Sequence, residues 1–276
     1  MIAGMKNAFQ KIEQRQKQLA RSAFCAWLNQ VGLDQDALRF APSMTYFVLG
    51  FRDILALAKR ERSVSESVSD LDELDLAINT HCEEDREHWK WFLSDIEKLG
   101  YLNTTPEKFL FRIWSDEEQM PRRMIYHITH LIQSETDSRL ILVMIECLEA
   151  AFAVFIESLK PQLVKRGFYE KLTYFGQKHD LGEQSHAMGS WIEDQAAGEK
   201  GSKSHVPHPA SHEAHGDTVV ARLASSPSSP ELESQAARLV DSIFNHFEML
   251  FEHWRRVALS SGGAGLPPEA IQKDRR

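Results

Sequence analysis

Apolar positions recur every three to four residues along almost the whole chain, and alternating strand patterns are nearly absent. The pattern predicts a first amphipathic helix over about 5–31, stopped near Gly32. A second opens at Pro42 in APSMTYFVLGFRDILALAKRER and is apolar on most of its surface, as a helix buried on several sides is. A third starts near Ser65–Asp70, where Ser, Asp and Glu crowd the first turns, and runs to the Gly100 stop in KLGYLN. Pro106 and Pro121 open two further segments, the second leading to the long apolar helix RLILVMIECLEAAFAVFIESL. Pro161 and Gly167 frame the next turn, another helix covers about 168–196, and a last amphipathic helix covers about 231–258. Residues 197–230 change character: Gly, Ser, Pro and His dominate, large apolar residues are few, and a flexible insertion is expected. These elements predict an all-α bundle of about seven or eight helices. One domain spans 1–196 plus 231–259, with 197–230 as its insertion and 260–276 as a loose tail.

Composition narrows the function classes. The 276 residues are 42% hydrophobic and 26% charged, ordinary for a globular protein with a sizeable core. The net charge is −8 with no basic stripe, so a nucleic-acid partner is not expected. The longest apolar stretch is broken by Glu146 and Glu149, and the N-terminus lacks the apolar centre of a signal peptide. A cytoplasmic protein without a membrane partner is the expectation. Cys25, Cys82 and Cys147 show no CxxC spacing, which indicates neither a disulfide framework nor a zinc knuckle.

The 12 histidines carry more information, because several fall among acids on core-facing helix positions. The stretch HCEEDREHW, residues 81–89, packs two histidines and four acids into the predicted third helix. Leu71, Leu74, Ile78, His81, Asp85, His88, Phe92 and Leu99 follow the three-then-four spacing of an apolar stripe, which therefore runs straight into ionisable groups. Glu84 lies at the edge of that face, while Glu83, Arg86 and Glu87 face away. Charges in such a stripe cost several kcal/mol unless they are paired or bind metal. Pairing with Arg86 or Lys90 on a wet helix face is the plainer alternative.

Two further segments offer matching groups. In HDLGEQSH, His179, Glu183 and His186 are spaced i, i+4, i+7 and share one face of a helix, which Gly182 weakens by about 1 kcal/mol relative to alanine. Glu146 sits among large apolar residues in ILVMIECLEAAFAVF, with Glu149 one turn on, and either acid is a candidate for the inward one. Together the three segments supply about three carboxylates and three or four histidines, the ligand set of a non-haem iron or di-iron centre in a helical bundle. Zinc fits less well, since it favours four ligands with more thiolate or histidine character.

In HCEEDREHWKWFLSDIEKLG, IECLEA and YFGQKHDLGEQSHA, in that order, the chain resembles the haem-oxygenase-like di-iron oxidases and oxygenases, which share their fold with the thiaminase-II and pyrroloquinoline-quinone-synthase group. The resemblance covers roughly 40–195 plus the last helix. It implies a haem-oxygenase-like bundle and places metal ligands at Asp85 and His88, at Glu146, and at His179, Glu183 and His186. His81 stands where some members place a carboxylate ligand, so it is either a ligand or a partner of one, and Glu84 is the alternative to Asp85. Asp85 occupies a usual glutamate position and Glu183 a usual aspartate position, each a change of about one methylene.

The resemblance implies Fe(II), two per chain, with O₂ as co-substrate. It implies oxidative cleavage, decarboxylation or N-oxygenation of a small carboxylate- or amine-bearing substrate, amino-acid-like or fatty-acid-like. A homodimer and a reductant protein are further expected partners. Phe92, Trp89 or Trp91, Tyr174 and Phe175 would form the apolar shell. Tyr46, Phe47, Phe51 and Tyr126 are further candidates for pocket lining, and Arg52, Arg122, Arg123 and Lys178 for a carboxylate anchor. Two other readings remain open: a non-catalytic metal-binding or interaction protein on the same scaffold, for which His205, His208, His212 and His215 would suit metal capture, and a metal-free hydrolase needing a nucleophilic cysteine.

Overall fold

In the computed structural model, which describes residues 5–60, 70–180, 223 and 228–260, the chain is all-helical, with nine α-helices and no strand among the described residues. They are α1 (Lys6–Leu19), α2 (Ala23–Gln30), α3 (Thr45–Ala58), α4 (Asp70–Glu84), α5 (His88–Lys98), α6 (Pro106–Trp114), α7 (Gln119–Ser134), α8 (Ser138–Arg166) and α9 (Pro230–Leu259). Short 3₁₀ turns at Ala41–Met44 and Asp85–Glu87 precede α3 and α5. No helix among the described residues is long and apolar enough to cross a membrane.

Local chemistry sets most boundaries. The side chains of Ser22, Thr105, Asp137 and Ser229 cap α2, α6, α8 and α9 by accepting backbone N–H groups of the first turn. Pro106 and Pro230 take first-turn positions, where the missing N–H costs nothing. Gly167, at φ +68°, ends α8 in the left-handed conformation that glycine adopts without strain.

Four boundaries differ from the periodicity. The helix expected over 5–31 is two helices, because Ser22 breaks the run and starts a new one. The helix expected from Ser65–Asp70 to Gly100 is interrupted at Asp85–Glu87, and residues 61–69 lie outside the described residues. Pro161 does not end its helix: it is exposed, so the carbonyl it leaves unbonded faces water, and α8 continues to Arg166. Residues 168–176 form turns instead of the helix expected over about 168–196; residues 177–180 are helical, and 181–196 lie outside the described residues. The 197–230 insertion is outside the described residues except for 223 and 228–230, and so is the tail from 261 onward.

Helix α8 forms the centre. Residues 140–149 are buried without interruption, so this segment has no solvent face, and α1, α2, α4 and α9 pack around it. Phe155 of α8 packs among the rings of Phe24, Phe40, Phe251 and Trp254, with Phe24 and Phe251 centroids 5.1 Å apart. Helices α3 and α7 pack against each other along the flank. They approach at Gly50, where a β-carbon would lie 2.8 Å from the side chain of Ile125. The burial of Glu146 and Glu149 follows from this arrangement, since a helix packed on all sides leaves its acids little access to water.

Candidate metal centre

Helix α4 approaches α8 at its last turn and brings His81 to Glu149. His81 Nε2 lies 3.3 Å from Asp85 Oδ2 and 3.3 Å from Glu149 Oε1. Neither oxygen lies in the direction a hydrogen bond requires, and the buried Nε2 has no hydrogen-bond partner. The ligand atoms of His81, Asp85 and Glu149 all lie within 4.8 Å of one another.

The 3₁₀ turn at Asp85–Glu87 changes the phase of the helix. It leaves Asp85 buried and starts α5 with His88, whose Nδ1 lies 3.5 Å from Asp85 Oδ1. His88 stacks on Trp91 at 4.4 Å and meets the ring of His179 edge-on at 4.5 Å. His179 reaches the site from the turn after 173–176. Its Nδ1 lies 2.8 Å from the Tyr174 carbonyl, which can only accept, so Nδ1 carries the proton and Nε2 carries the lone pair.

The electrostatics are strongly perturbed. Burial opposes a charge on His81, but the combined attraction of Asp85, Glu149 and Glu146 outweighs it and lifts the ring to about 10. Burial and repulsion from Glu149 raise the Asp85 carboxyl to about 7, against the pull of His81 and His179. Burial lowers His179, against its bond to the Tyr174 carbonyl.

A divalent cation fits these residues. Two ligand atoms each about 2.1 Å from one cation stand about 3.0–3.4 Å apart, which matches the spacings around His81 Nε2. A set of imidazoles and carboxylates without thiolate suits iron or manganese better than structural zinc.

Of the residues expected from sequence, His81, Asp85, His88 and His179 come together, with Glu149 as the closest acid of α8. Glu146 is buried on α8 and near enough to raise His81, yet it is not among the three groups within 4.8 Å. Glu84 is half-buried at the end of α4 and also outside that group. Glu183 and His186 lie outside the described residues, as do His205, His208, His212 and His215. Glu83 and Arg86 are exposed and paired with each other, and Glu87 pairs with Lys90.

An apolar cavity of about 40 Å³ adjoins the cluster. Phe47, Val48, Phe51, Leu148, Phe152 and Phe247 wall it, Asp85, His88, Glu149 and His179 supply its polar end, and exposed Arg52 marks its solvent side. At about 10–15 Å³ per water, it holds a diatomic gas or a few waters. Arg52 also packs over Trp89, whose buried Nε1–H has no acceptor. Arg122 is no candidate anchor, because its guanidinium is held by the carbonyls of Ile113, Ser115 and Glu118. Lys178 lies over the ring of Trp91 at 4.2 Å. Tyr46 and Tyr126 bond each other at 3.1 Å, away from the cavity lining.

Asp95 was missed in the sequence, although 88, 92, 95 and 99 continue the same stripe. It is fully buried, and its carboxylate accepts the backbone N–H groups of Thr173, Tyr174 and Phe175.

Two hydrolase readings are not supported by the geometry. Burial pushes the Cys82 thiol up to about 12 and the Cys147 thiol well above its ordinary value, so neither is a thiolate nucleophile near neutral pH. Ser43, His253 and Glu118 meet in the core, but Ser43 Oγ and Glu118 Oε2 both bond His253 Nε2, each near that nitrogen. A proton relay needs the acid on the opposite ring nitrogen.

No protein-family model matches the chain, and comparison with curated proteins finds no significant relative.

Proposed function

We propose that the chain is a non-haem iron protein of the haem-oxygenase-like di-iron kind, which activates O₂ to oxidise a small carboxylate- or amine-bearing substrate. The observation that carries this reading is the buried His81 Nε2, which makes no hydrogen bond and lies 3.3 Å from two buried carboxylates beside an apolar cavity. His81, Asp85 and Glu149 would hold one ion, with His88, His179 and Glu146 near enough to complete it or hold a second. Ferrous iron bound there would supply the electrons that reduce O₂.

The chain's own side chains perform the rest. Phe47, Phe51, Leu148 and Phe152 give the cavity apolar walls, which would limit the water around a bound ion. The Tyr174 carbonyl holds the Nδ1 proton of His179 and leaves Nε2 free of one. Exposed Arg52 offers a donor to a carboxylate arriving from the solvent side. The cavity is smaller than an amino acid, so binding such a substrate requires its aromatic walls to move.

Anaerobic loading with Fe(II), followed by iron counting and exposure to O₂, tests the reading. About two irons per chain and a transient visible band on O₂ addition are expected. Loss of iron in Glu149→Ala and His88→Ala completes the expected result. Failure of the wild-type chain to retain iron overturns it, and the non-catalytic scaffold then stands.

A further inference from the structure

Helix α5 carries His88 in its first turn and Asp95 two turns later on the same face. His88 faces the candidate metal centre, while Asp95 faces the turn that delivers His179. Every acceptor position of the Asp95 carboxylate is engaged. Oδ1 and Oδ2 each take the Thr173 N–H at 2.9 Å, and Oδ2 takes those of Tyr174 at 2.7 Å and Phe175 at 3.1 Å. Lys98 Nζ, at 3.3 Å from Oδ1, bridges to the carbonyl of Lys171 at 3.2 Å.

Three successive N–H groups turned onto one carboxylate fix the backbone from 173 to 175 relative to α5. The same backbone then reaches His179 twice, through the Tyr174 carbonyl to Nδ1 at 2.8 Å and through the Thr173 carbonyl to the His179 N–H at 3.3 Å. Gly176 makes the turn tight enough, since a β-carbon there would lie 2.1 Å from the Leu172 carbonyl oxygen.

We propose that Asp95 is a positioning residue for the site. It sets the depth of His179 against His88 and locks the Nδ1–H tautomer that presents Nε2 as a ligand. Asp95 acts through His179 and lies outside the His81–Asp85–Glu149 group. The proposal rests on the metal reading for its consequence, while the hold on the His179 ring can be measured without metal. Asparagine at 95 keeps the shape but turns an N–H₂ group toward at least one of the three amide donors. The turn then loosens, and the Tyr174 carbonyl no longer selects one tautomer.

The test uses the full chain with Asp95→Asn, and Co(II) alone as an air-stable probe. In the metal-free wild type, ¹⁵N-imidazole NMR should show His179 protonated at Nδ1, and in Asp95→Asn a mixture of tautomers. Co(II) should bind the variant about 10–100-fold more weakly, with an altered visible d–d spectrum. Leu19→Ala, a core change in the distant α1, should leave both readings at wild-type values, which separates positioning from general loss of stability. Wild-type tautomer and wild-type Co(II) affinity in Asp95→Asn overturn the proposal. A wild type that binds no Co(II) overturns the metal reading instead, and the tautomer measurement still decides the role of Asp95. If Asp95→Asn does not fold, Lys98→Met decides. A two- to threefold loss of affinity with a changed tautomer ratio supports the proposal, and wild-type behaviour overturns it.

Discussion

His81 Nε2 lies 3.3 Å from Glu149 Oε1, which joins the last turn of α4 to the middle of the central helix α8. Two residues separated by three whole helices and the first part of α8 meet with spacing suited to one cation and without a directed hydrogen bond between them. The acid one turn earlier, Glu146, was the one that the family resemblance selected.

Glu149→Gln should therefore weaken divalent-metal binding by at least about tenfold, and Glu146→Gln by less. Metal titration followed by equilibrium dialysis measures both. Glu149→Gln should also lower the His81 pKa from about 10 in the metal-free protein, because one of its attracting carboxylates is gone. Equal losses in the two variants would contradict this ranking.

Metal binding should compete with the proton on His81. That ring is lifted to about 10, so the metal-free protein holds the proton at neutral pH and releases it when a ligand lone pair is required. Apparent affinity should rise about tenfold per pH unit between about pH 7 and pH 9. At a free metal concentration of 100 times Kd, stability should rise by about 2.7 kcal/mol, and a chelator should return the melting temperature to its starting value. Calorimetry in buffers of different ionisation enthalpy counts the protons released.

A second pair of histidines should give the fold an acid sensitivity. His127 on α7 stacks on His246 of α9 with ring centroids 3.8 Å apart, and bonds Ser242 Oγ at 2.8 Å. Burial, with repulsion from His246 and His130, lowers His127 to about 4. A histidine depressed in the folded state is neutral and harmless above the unfolded value near 6.5. As pH falls from there toward about 4, the unfolded chain takes up the proton first and stability drops. After allowance for solvent screening, the loss is about 1 kcal/mol at pH 4.5. Urea unfolding of His127→Gln should show that much less dependence on pH than the wild type.

Gly50→Ala should destabilise the packing of α3 on α7 by about 1–3 kcal/mol, since the added carbon would meet the Ile125 side chain at 2.8 Å. In Gly50→Ala/Ile125→Ala the space reopens, and the double variant should be more stable than the sum of the single losses. Chemical denaturation of the four proteins checks the coupling.

Legibility in the sequence varied with the range of the contact. The stripe of Ile78, His81, Asp85, His88 and Phe92 was visible because helical spacing alone sets which residues share a face. The break at Asp85–Glu87 was not, since the residues 85–87 favour neither form of helix strongly and packing decides. Pro161 misled for a related reason: its cost depends on whether residue 157 faces water. Asp95 lay on the visible stripe, but its partners are backbone N–H groups nearly eighty residues away, which no side-chain pattern advertises.

The sequence by itself determined that the chain is helical and that acids and imidazoles interrupt its buried faces. Those properties follow from local backbone preferences and from the gain of burying apolar surface at a fixed period. Only the tertiary structure decided which of those groups meet. Burial of α8 on all sides gave both of its acids an interior position, and the 3₁₀ turn and the Asp95-anchored turn brought His81, Asp85, His88 and His179 toward Glu149. That choice depends on how helices distant in sequence pack together, and such packing has no signature in the spacing of any single helix.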